Sequence, residues 1–391
     1  MSNLLSFVTV LKYCGYIVVA ILILLLMVLI HELGHYVAGK ILKFKINEFS
    51  VGFGPKILQK TKKNGELLTL RAFPLGGYCA FEGENEDGSE SPESFNNQKP
   101  WKRLIVLFSG AFFNFLSGII FSFILLMANG YDLVQVKNLD STSINYNCLQ
   151  QGDVIHGIEG TEINFVTDDS FNLLITKKVK SMYPEFKGDV LELSSFEKDG
   201  ENYYYAPQNL TFNITRDGEK TSAEGFINVI YDENGDYSGW TLLKTNEANT
   251  EEFNIGNYKY SFGESLLKAV PFTFELAWKI LIIFGQLITG QLGISSLSGP
   301  ITTIDFIASG VQQNASLVWV LLPIIAVNLA VFNLLPIPAL DGFQMLFVVI
   351  EWIRKKPVKR EVLNLINTIG LFALLGLVLV VDGIQIFMKI F

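Results

Sequence analysis

The sequence has few charges, few cysteines and few histidines. Only 17% of its 391 residues are charged, against about 25% in an average soluble protein. Half of the residues are hydrophobic and the formal net charge is −8, which excludes a disordered chain and argues against binding to nucleic acid. The cysteines Cys14, Cys79 and Cys148 lie far apart in different contexts, so they form neither a disulfide framework nor a zinc knuckle.

Charge is absent from four long apolar stretches. Crossing a bilayer takes about 20 apolar residues, and each stretch is long enough. They comprise residues 13–30 (continuing through a polar cluster to residue 39), 104–131, 315–340 and 362–381. A fifth region, residues 265–304, contains Lys268, Glu275 and Lys279. It predicts an amphipathic helix over residues 262–287 that lies on the membrane surface, with a span as the alternative.

The distribution of charge predicts the orientation of the spans. Residues 39–103 carry eleven Lys and Arg, and residues 351–361 carry five. Residues 132–264 carry ten Lys and Arg against twenty-three Asp and Glu. Because basic loops stay in the cytoplasm, four spans place both basic loops inside, and both termini and the acidic region outside. Five spans would place residues 351–361 outside.

Two regions between the spans have strand patterns. Residues 46–59 and 67–81 read as a β-hairpin turned at Asn64-Gly65, and its apolar, Gly-rich sequence predicts that it enters the protein from the cytoplasm. Residues 132–257 alternate short apolar runs with Gly-containing turns, which indicates a β-rich domain. The predicted protein is a multi-pass α-helical membrane protein with four transmembrane helices, a membrane-associated β-hairpin (46–81) and an extracytoplasmic β-rich domain. Its parts are residues 1–131, 132–257 and 258–391.

A metal-binding pattern lies at the end of the first span. His31-Glu32-Leu33-Gly34-His35 has the form H-E-x-x-H. Residues i and i+4 share one face of a helix, so His31 and His35 can bind one zinc ion. Glu32 can then take a proton from a zinc-bound water and give it to the leaving amine. A capping cluster is the alternative, but ionisable groups that continue an apolar run are costly unless they are functional.

Zinc needs a third protein ligand. The remaining histidine, His156, lies in the outer domain, so the ligand must be Asp or Glu. Asp341 is the acid beside a long apolar segment, and four spans place it on the same side of the membrane as His31 and His35. Two alternatives stay open: Asp341 is an interfacial turn residue, or the ligand is Glu48 or one of the acids of residues 82–93, as in a membrane zincin that cleaves soluble or lipidated protein ends.

Polar and helix-breaking residues precede Asp341. Pro336 and Pro338 interrupt a helix and leave backbone groups free. These groups, with Asn328 and Asn333, are candidates for binding an extended peptide or the tetrahedral intermediate. A proline-terminated helix with capping asparagines explains them equally well.

The chain resembles the site-2 protease family of intramembrane zinc metalloproteases, in particular its bacterial RseP/RasP-like branch. The matching motifs follow the family's order over nearly the whole chain. They are His31-Glu32-Leu33-Gly34-His35, Gly52-Phe53-Gly54-Pro55, Pro74-Leu75-Gly76-Gly77-Tyr78, Ser109-Gly110-Ala111-Phe112-Phe113-Asn114, Leu297-Ser298-Gly299-Pro300-Ile301 and Asn333-Leu334-Leu335-Pro336-Ile337-Pro338-Ala339-Leu340-Asp341-Gly342. Ala111 and Phe343 depart from the usual pattern, where Pro and Gly are common.

The resemblance implies Zn²⁺ held by His31, His35 and Asp341, with Glu32 catalytic. It also implies one PDZ-like domain outside the cell membrane, for which residues 152–160 resemble the core motif and residues 168–205 are a candidate insertion. Expected partners are the lipid bilayer, single-span membrane protein substrates such as anti-sigma factors or signal-peptide remnants, and an upstream site-1-type protease. This is the reaction class of regulated intramembrane proteolysis, and no nucleic acid is expected.

The implied substrate must unwind before it is cleaved, because a helix hides its peptide bonds in internal hydrogen bonds. Strand 67–78 of the hairpin is expected to pair with the unwound segment. The candidate substrate-binding residues are Asn114, Asn328, Asn333, Pro336, Pro338, Gly52, Gly54, Leu67, Thr69 and Arg71.

Two other classes remain as alternatives. A catalytically silent adaptor that captures protein termini would need none of the four residues of the zinc site. A transporter would explain ionisable residues in the membrane, but four spans without an inverted repeat do not suit alternating access.

Overall fold

The structure is a computed structural model that describes residues 2–84, 91–136, 145–162, 168–198, 201–241, 253–293, 297–356 and 358–390. It divides into two compact units. The helical unit comprises residues 1–125 and 273–391, and the β-rich unit comprises residues 126–272. The predicted β-rich domain, residues 132–257, falls inside the second unit.

The helical unit is built from long apolar helices. They are α1 (Ser2–Ile41), α2 (Pro100–Ile124), α5 (Pro300–Gln313), α6 (Leu317–Leu334), α7 (Asp341–Arg354) and α8 (Arg360–Ile390), with α4 (Phe262–Ile288) entering from the β-rich unit. Among the described residues, four helical segments are long and apolar enough to cross a membrane. They are Lys12–Ile41, Pro100–Asn129, Leu317–Leu334 and Glu361–Met388. The count of four agrees with the sequence prediction, and α4 is not among them.

Packing around α1 determines where the metal motif lies. Ala20, Ile23 and Met27 are buried against α5 and α6, in a cluster that includes Ala308 and Ala326. Further along, Ala38 packs in a second cluster with residues of the hairpin, α2 and α7. The last third of α1 is therefore enclosed by other elements, whereas many large apolar side chains point outward, such as those of Leu22 and Leu375. Outward apolar surface of this kind suits contact with lipid.

The predicted hairpin is present as β1 (Ile46–Thr61) and β2 (Leu67–Phe81), and both strands bend. Residues 48–51 pair with residues 77–80 on one side and with residues 67–70 on the other. Residues 67–71 pair in turn with residues 56–61. The segment 67–70 therefore lies inside a small sheet, and the segment 77–80 forms one of its edges.

The β-rich unit is built on one sheet with the strand order β10-β3-β4-β7-β8-β9, with β5 beside β4 and β6 beside β7. The strands are β3 (Tyr131–Val136), β4 (Val154–Ile158), β5 (Thr161–Glu162), β6 (Ser194–Lys198), β7 (Glu201–Arg216), β8 (Glu219–Tyr231), β9 (Tyr237–Thr241) and β10 (Phe253–Tyr258), and one helix, α3 (Asp168–Met182), joins β5 to β6. The core of the unit contains Ile155, Phe212 and Ile227, all with no exposed surface.

The motif predicted at residues 152–160 forms β4 and its flanking turns. Asp153 precedes the strand and accepts two hydrogen bonds from Arg216, at 2.6 and 2.8 Å. Glu159 and Gly160 both have positive φ and make the turn to β5. The candidate insertion, residues 168–205, contains α3 and β6 and ends within β7.

Candidate metal centre

Two histidines project from one face of α1 into the interior of the helical unit. His31 and His35 are 8% and 7% exposed. They lie one helical turn apart, which aligns their side chains, and their Nε2 atoms are 3.2 Å apart. The two rings meet edge to face. Both histidines therefore present the same ring nitrogen to one point.

Asp341 brings a carboxylate to that point from a distant part of the sequence. It is the first residue of α7, and its Oδ2 lies 2.9 Å from His31 Nε2 and 3.2 Å from His35 Nε2. Among the described residues, the three side chains form a group of donors that can hold a metal ion. The sequence prediction placed the same three residues together.

The arrangement suits zinc. Ligand atoms at bonds of about 2.0–2.1 Å around a tetrahedral zinc ion are about 3.3 Å apart, and the three donor atoms here are separated by 2.9–3.2 Å. Asp341 Oδ2 is buried and has no hydrogen-bond donor among the described residues. A buried carboxylate oxygen without a donor is costly, and a bound cation would remove that cost.

Neighbouring groups fix which ring nitrogens are free to bind metal. His35 Nδ1 lies 2.8 Å from the backbone oxygen of Val106, so Nδ1 donates its proton there and Nε2 keeps its lone pair. The amide nitrogen of Asn114 lies 3.3 Å from His31 Nδ1, and the buried amide oxygen has no described partner. With that oxygen turned toward Nδ1, the amide accepts the ring proton and frees Nε2 of His31.

Glycines at the contact between α1 and α2 leave space for the histidine rings. A Cβ at Gly110 would lie 2.5 Å from His35 Nε2 and 2.7 Å from His31 Cε1. A Cβ at Gly34, between the two histidines, would collide with the backbone oxygen of Ser109. Only hydrogen fits at either position. The motif Gly110-x-x-x-Asn114 therefore supplies both the space for the rings and the partner of His31.

Glu32 lies beside the histidines and faces the edge of the hairpin sheet. It is half-buried on α1, and its carboxylate lies near the backbone N–H of Cys79 in β2. A Cβ at Gly77 would lie 3.7 Å from Glu32 Cγ. The edge segment 77–80 thus passes directly along the acid that the motif assigns to proton transfer.

The hairpin residues expected to bind substrate are positioned differently from one another. Gly52 and Gly54 have φ near +84° and form the bend of β1. Leu67 and Thr69 belong to the segment that is paired on both sides, so neither offers a free strand edge. Arg71 follows this segment, and its guanidinium donates to Glu48, Tyr78 and the backbone oxygen of Gly54.

Two of the alternative acidic ligands, Glu48 and Glu82, lie in other interactions. Glu48 accepts hydrogen bonds from Thr69 at 2.6 Å and from Arg71 at 2.8 Å. Burial alone would raise the pKa of Glu48, but these hydrogen bonds outweigh it and hold the pKa below its ordinary value. Glu82 pairs with Lys45. Of the remaining acids of residues 82–93, those at positions 85–90 lie outside the described residues.

The predicted residues before Asp341 have varied surroundings. Asn114 is fully buried beside His31, a position that supports a metal ligand rather than contact with a substrate. Asn328 is exposed on α6, and Asn333 is half-buried in its last turn. Pro336 is exposed and Pro338 is half-buried in the loop that leads to α7.

Comparison with known proteins agrees with this geometry. The family model described as "Peptidase family M50" matches residues 19–377. The chain is similar to a protein of Fusobacterium nucleatum named "Putative zinc metalloprotease", with 30% identity covering 88% of this chain and 90% of the relative. Proteins of Clostridium perfringens and Agrobacterium fabrum carry the same description. The first is 28% identical over 94% of this chain and 97% of the relative, and the second 27% over 93% of each.

These matches confirm the family resemblance, the zinc cofactor and the proteolytic activity predicted from the sequence motifs. The chain belongs to peptidase family M50 and is a zinc metalloprotease.

Proposed function

We propose that this protease cleaves peptide bonds within the membrane-spanning segment of single-span membrane proteins. The observation that carries the proposal is the place of His31 and His35 near the C-terminal end of a helix apolar enough to cross a bilayer. Ionisable groups within a membrane are costly unless they are functional. A metal site on such a helix therefore favours catalysis within the membrane.

His31, His35 and Asp341 are the proposed zinc ligands, and Glu32 is the proposed general base. Zinc held by these ligands would polarise the scissile carbonyl and would make a water molecule acidic enough to be deprotonated near neutral pH. Glu32 takes the proton from the attacking water and delivers it to the leaving amine nitrogen. The nearby backbone N–H of Cys79 can orient the Glu32 carboxylate for this transfer.

The proposed substrate-binding strand is the edge segment 77–80. One side of this segment is already paired with residues 48–51. An extended substrate can therefore pair with its opposite side as a further strand. Backbone groups of an unwound helix would then find partners away from water. Because this edge lies against Glu32, the added strand would pass along the catalytic acid. The segment 67–70, with neighbours on both sides, does not offer this pairing.

The four-span topology is part of the proposal. His31 and His35, near the C-terminal end of α1, meet Asp341, which follows α6. This arrangement fits an even number of crossings between the end of α1 and the end of α6. Crossings by α2 and α6 give that number, with α4 on the membrane surface through exposed residues such as Leu267 and Trp278. The basic segments 39–103 and 351–361 then face the cytoplasm of a cell membrane, and the termini and the β-rich unit lie outside.

The β-rich unit is proposed to be a PDZ-like domain that restricts access. Substrates with bulky outer parts would be excluded until an upstream site-1-type protease had trimmed them. The net negative charge of residues 132–264 would disfavour acidic outer segments.

The deciding experiment is a cleavage assay on single-span proteins with the purified chain in detergent. Wild type is expected to cut within the membrane segment and to stop on addition of a zinc chelator. Glu32→Gln is expected to bind zinc normally and to show no cleavage. Product ends outside the membrane segment, or cleavage by Glu32→Gln, would contradict the proposal.

A further inference from the structure

The loop between α6 and α7 carries Asp341 to the metal centre with little internal support. Pro336 and Pro338 have no N–H group. The N–H groups of Ile337 and Leu340 bond within the loop, to Leu335 and Ile337. These short-range bonds shape the loop but do not tie it to the rest of the helical unit.

One N–H group of this loop donates a hydrogen bond to a side chain on another helix. The N–H of Ala339, two residues before Asp341, donates to Asn367 Oδ1 on α8 at 3.2 Å. Ala339 has φ +76°, a left-handed conformation that a residue with a Cβ adopts only when its surroundings impose it. The hydrogen bond to Asn367 therefore holds the loop residue whose backbone conformation is the most constrained.

A second contact from α8 lies one turn further along. Pro338 packs directly on Gly370, so closely that a Cβ at Gly370 would collide with the proline ring. Asn367 and Gly370 are three residues apart and share a face of α8 with buried Leu363. The neighbouring Leu365 and Ile369 are about 60% exposed (59% and 61%). The face of α8 that meets the loop is narrow and specific.

We propose that Asn367 and Gly370 are positioning residues for Asp341: by fixing Ala339 and Pro338, they hold its carboxylate at the distance from His31 and His35 that zinc requires. The proposal rests on the zinc-ligand assignment made above. Neither residue touches the donor atoms, so their effect passes through the backbone of the loop. Groups that orient metal ligands in this way typically change metal affinity or activity by about 10–100-fold when replaced.

The test uses four variants of the full chain, purified in detergent. Asn367→Leu removes the acceptor, and Asn367→Asp keeps an acceptor of the same shape. Gly370→Ala pushes Pro338 away from α8. Gly376→Ala is the matched control, because a Cβ there meets nothing within 4 Å. Two readouts that do not depend on activity are zinc affinity, measured by competition with a chelator, and the visible spectrum of the Co²⁺-loaded protein, which reports ligand geometry.

Asn367→Leu and Gly370→Ala are each expected to lower zinc affinity about tenfold and to change the Co²⁺ spectrum. Asn367→Asp and Gly376→Ala are expected to resemble wild type. A merely structural role would lower the thermal midpoint of the metal-free protein without changing the spectrum, and that result would overturn the proposal. So would wild-type spectra and affinities for both Asn367→Leu and Gly370→Ala.

The same experiment separates the positioning role from the site on which it depends. The zinc-ligand assignment predicts a Co²⁺ band in wild type that disappears in His31→Ala. If no such band is found, this assignment fails and the positioning role fails with it. If wild type gives that band and both Asn367→Leu and Gly370→Ala leave it unchanged, only the positioning role fails. Because two independent variants probe the same loop, poor folding of one leaves the other to decide.

Discussion

The helical unit shields two carboxylates from solvent, those of Glu66 and Asp341, and the two have different partners. The Glu66 side chain has no exposed surface and accepts hydrogen bonds from Lys40, Lys62 and Tyr36. Burial alone would raise the pKa of Glu66, but these bonds outweigh it and lower the pKa to about 2. The protein has supplied the positive charge that this carboxylate needs.

Asp341 has no lysine or arginine partner among the described residues. Its side chain is 16% exposed, and its buried Oδ2 faces the Nε2 atoms of His31 and His35. A structural ion pair and a metal site can therefore be told apart by the donors around the carboxylate. Glu66 is already neutralised by lysines, whereas Asp341 lies with two imidazoles in a group of donors that can hold a metal ion.

The largest effect expected from this comparison is the loss of zinc binding when Asp341 is replaced. Asp341→Asn keeps the shape of the side chain and removes its charge, so zinc affinity is expected to fall by more than about a hundredfold, beyond the range for indirect supports, and cleavage to stop. Glu66→Gln is the matched change at the other carboxylate and should retain zinc. Metal analysis after dialysis measures both. Equal zinc content in the two variants would refute the distinction.

A third buried carboxylate shows the simplest form of internal neutralisation. Arg103 and Glu351 have side chains 5% and 6% exposed and lie 2.7 Å apart, and Glu351 also accepts the N–H of Val358. Arg103→Met removes the guanidinium that faces this charge, which costs about 3–5 kcal/mol at a buried site. Chemical denaturation in detergent would show the loss. The double variant Arg103→Met, Glu351→Leu should recover most of it, and its failure to do so would show that the charge is not the cause.

A smaller loss of stability is expected for Glu66→Gln. Lys40 and Lys62 are about one third exposed (35% and 36%), so water screens them when the carboxylate is removed, and the cost is about 2 kcal/mol. Because its folded pKa is depressed, Glu66 stabilises the wild type above about pH 4.5, and this contribution is lost as pH falls toward 2. The denaturation midpoint of Glu66→Gln should therefore approach that of wild type in acid. A constant difference would contradict this origin.

The sequence predicted the parts of the site that depend on spacing along one helix or on hydropathy. The i, i+4 spacing of His31 and His35 and the four apolar stretches required no tertiary information. The charge of the loops, combined with the chemistry of zinc, predicts Asp341 as the third ligand. Gly110 and Asn114 were visible as a motif, but their roles depend on which face of α2 meets α1, and a single sequence does not specify that.

The sequence did not predict the bend of the hairpin or the contacts of α8. Alternating apolar residues predict strands in 46–59 and 67–81, but the positive φ of Gly52 and Gly54 lets β1 fold across β2, so that residues 67–70 gain two neighbours. Asn367 carries no motif at all, because its role arises only when α8 meets the loop before Asp341. Long-range pairings of this kind leave no local pattern in sequence.

The β-rich unit buries a titratable group in a third way, in no ion pair with the part of the chain that the structure describes. His156 is 6% exposed, shares a hydrogen bond of 2.8 Å with Thr215 and packs edge to face against Tyr258. Burial, aided by the more distant Lys220 and Lys268, lowers the pKa of His156 to about 4. The unfolded chain therefore binds the proton more readily than the folded unit between about pH 6.5 and pH 4.

Stability of this unit should accordingly fall as the medium becomes acid, by about 2 kcal/mol between pH 6.5 and pH 5 from His156 alone. Pulse proteolysis of the full chain in urea, with fragments assigned to residues 126–272, measures this difference. His156→Gln keeps a polar group near Thr215 and does not titrate, so its stability should depend less on pH over that range. If both proteins lose the same stability, the acid response belongs to the carboxylates of this unit and His156 is buried without consequence for pH.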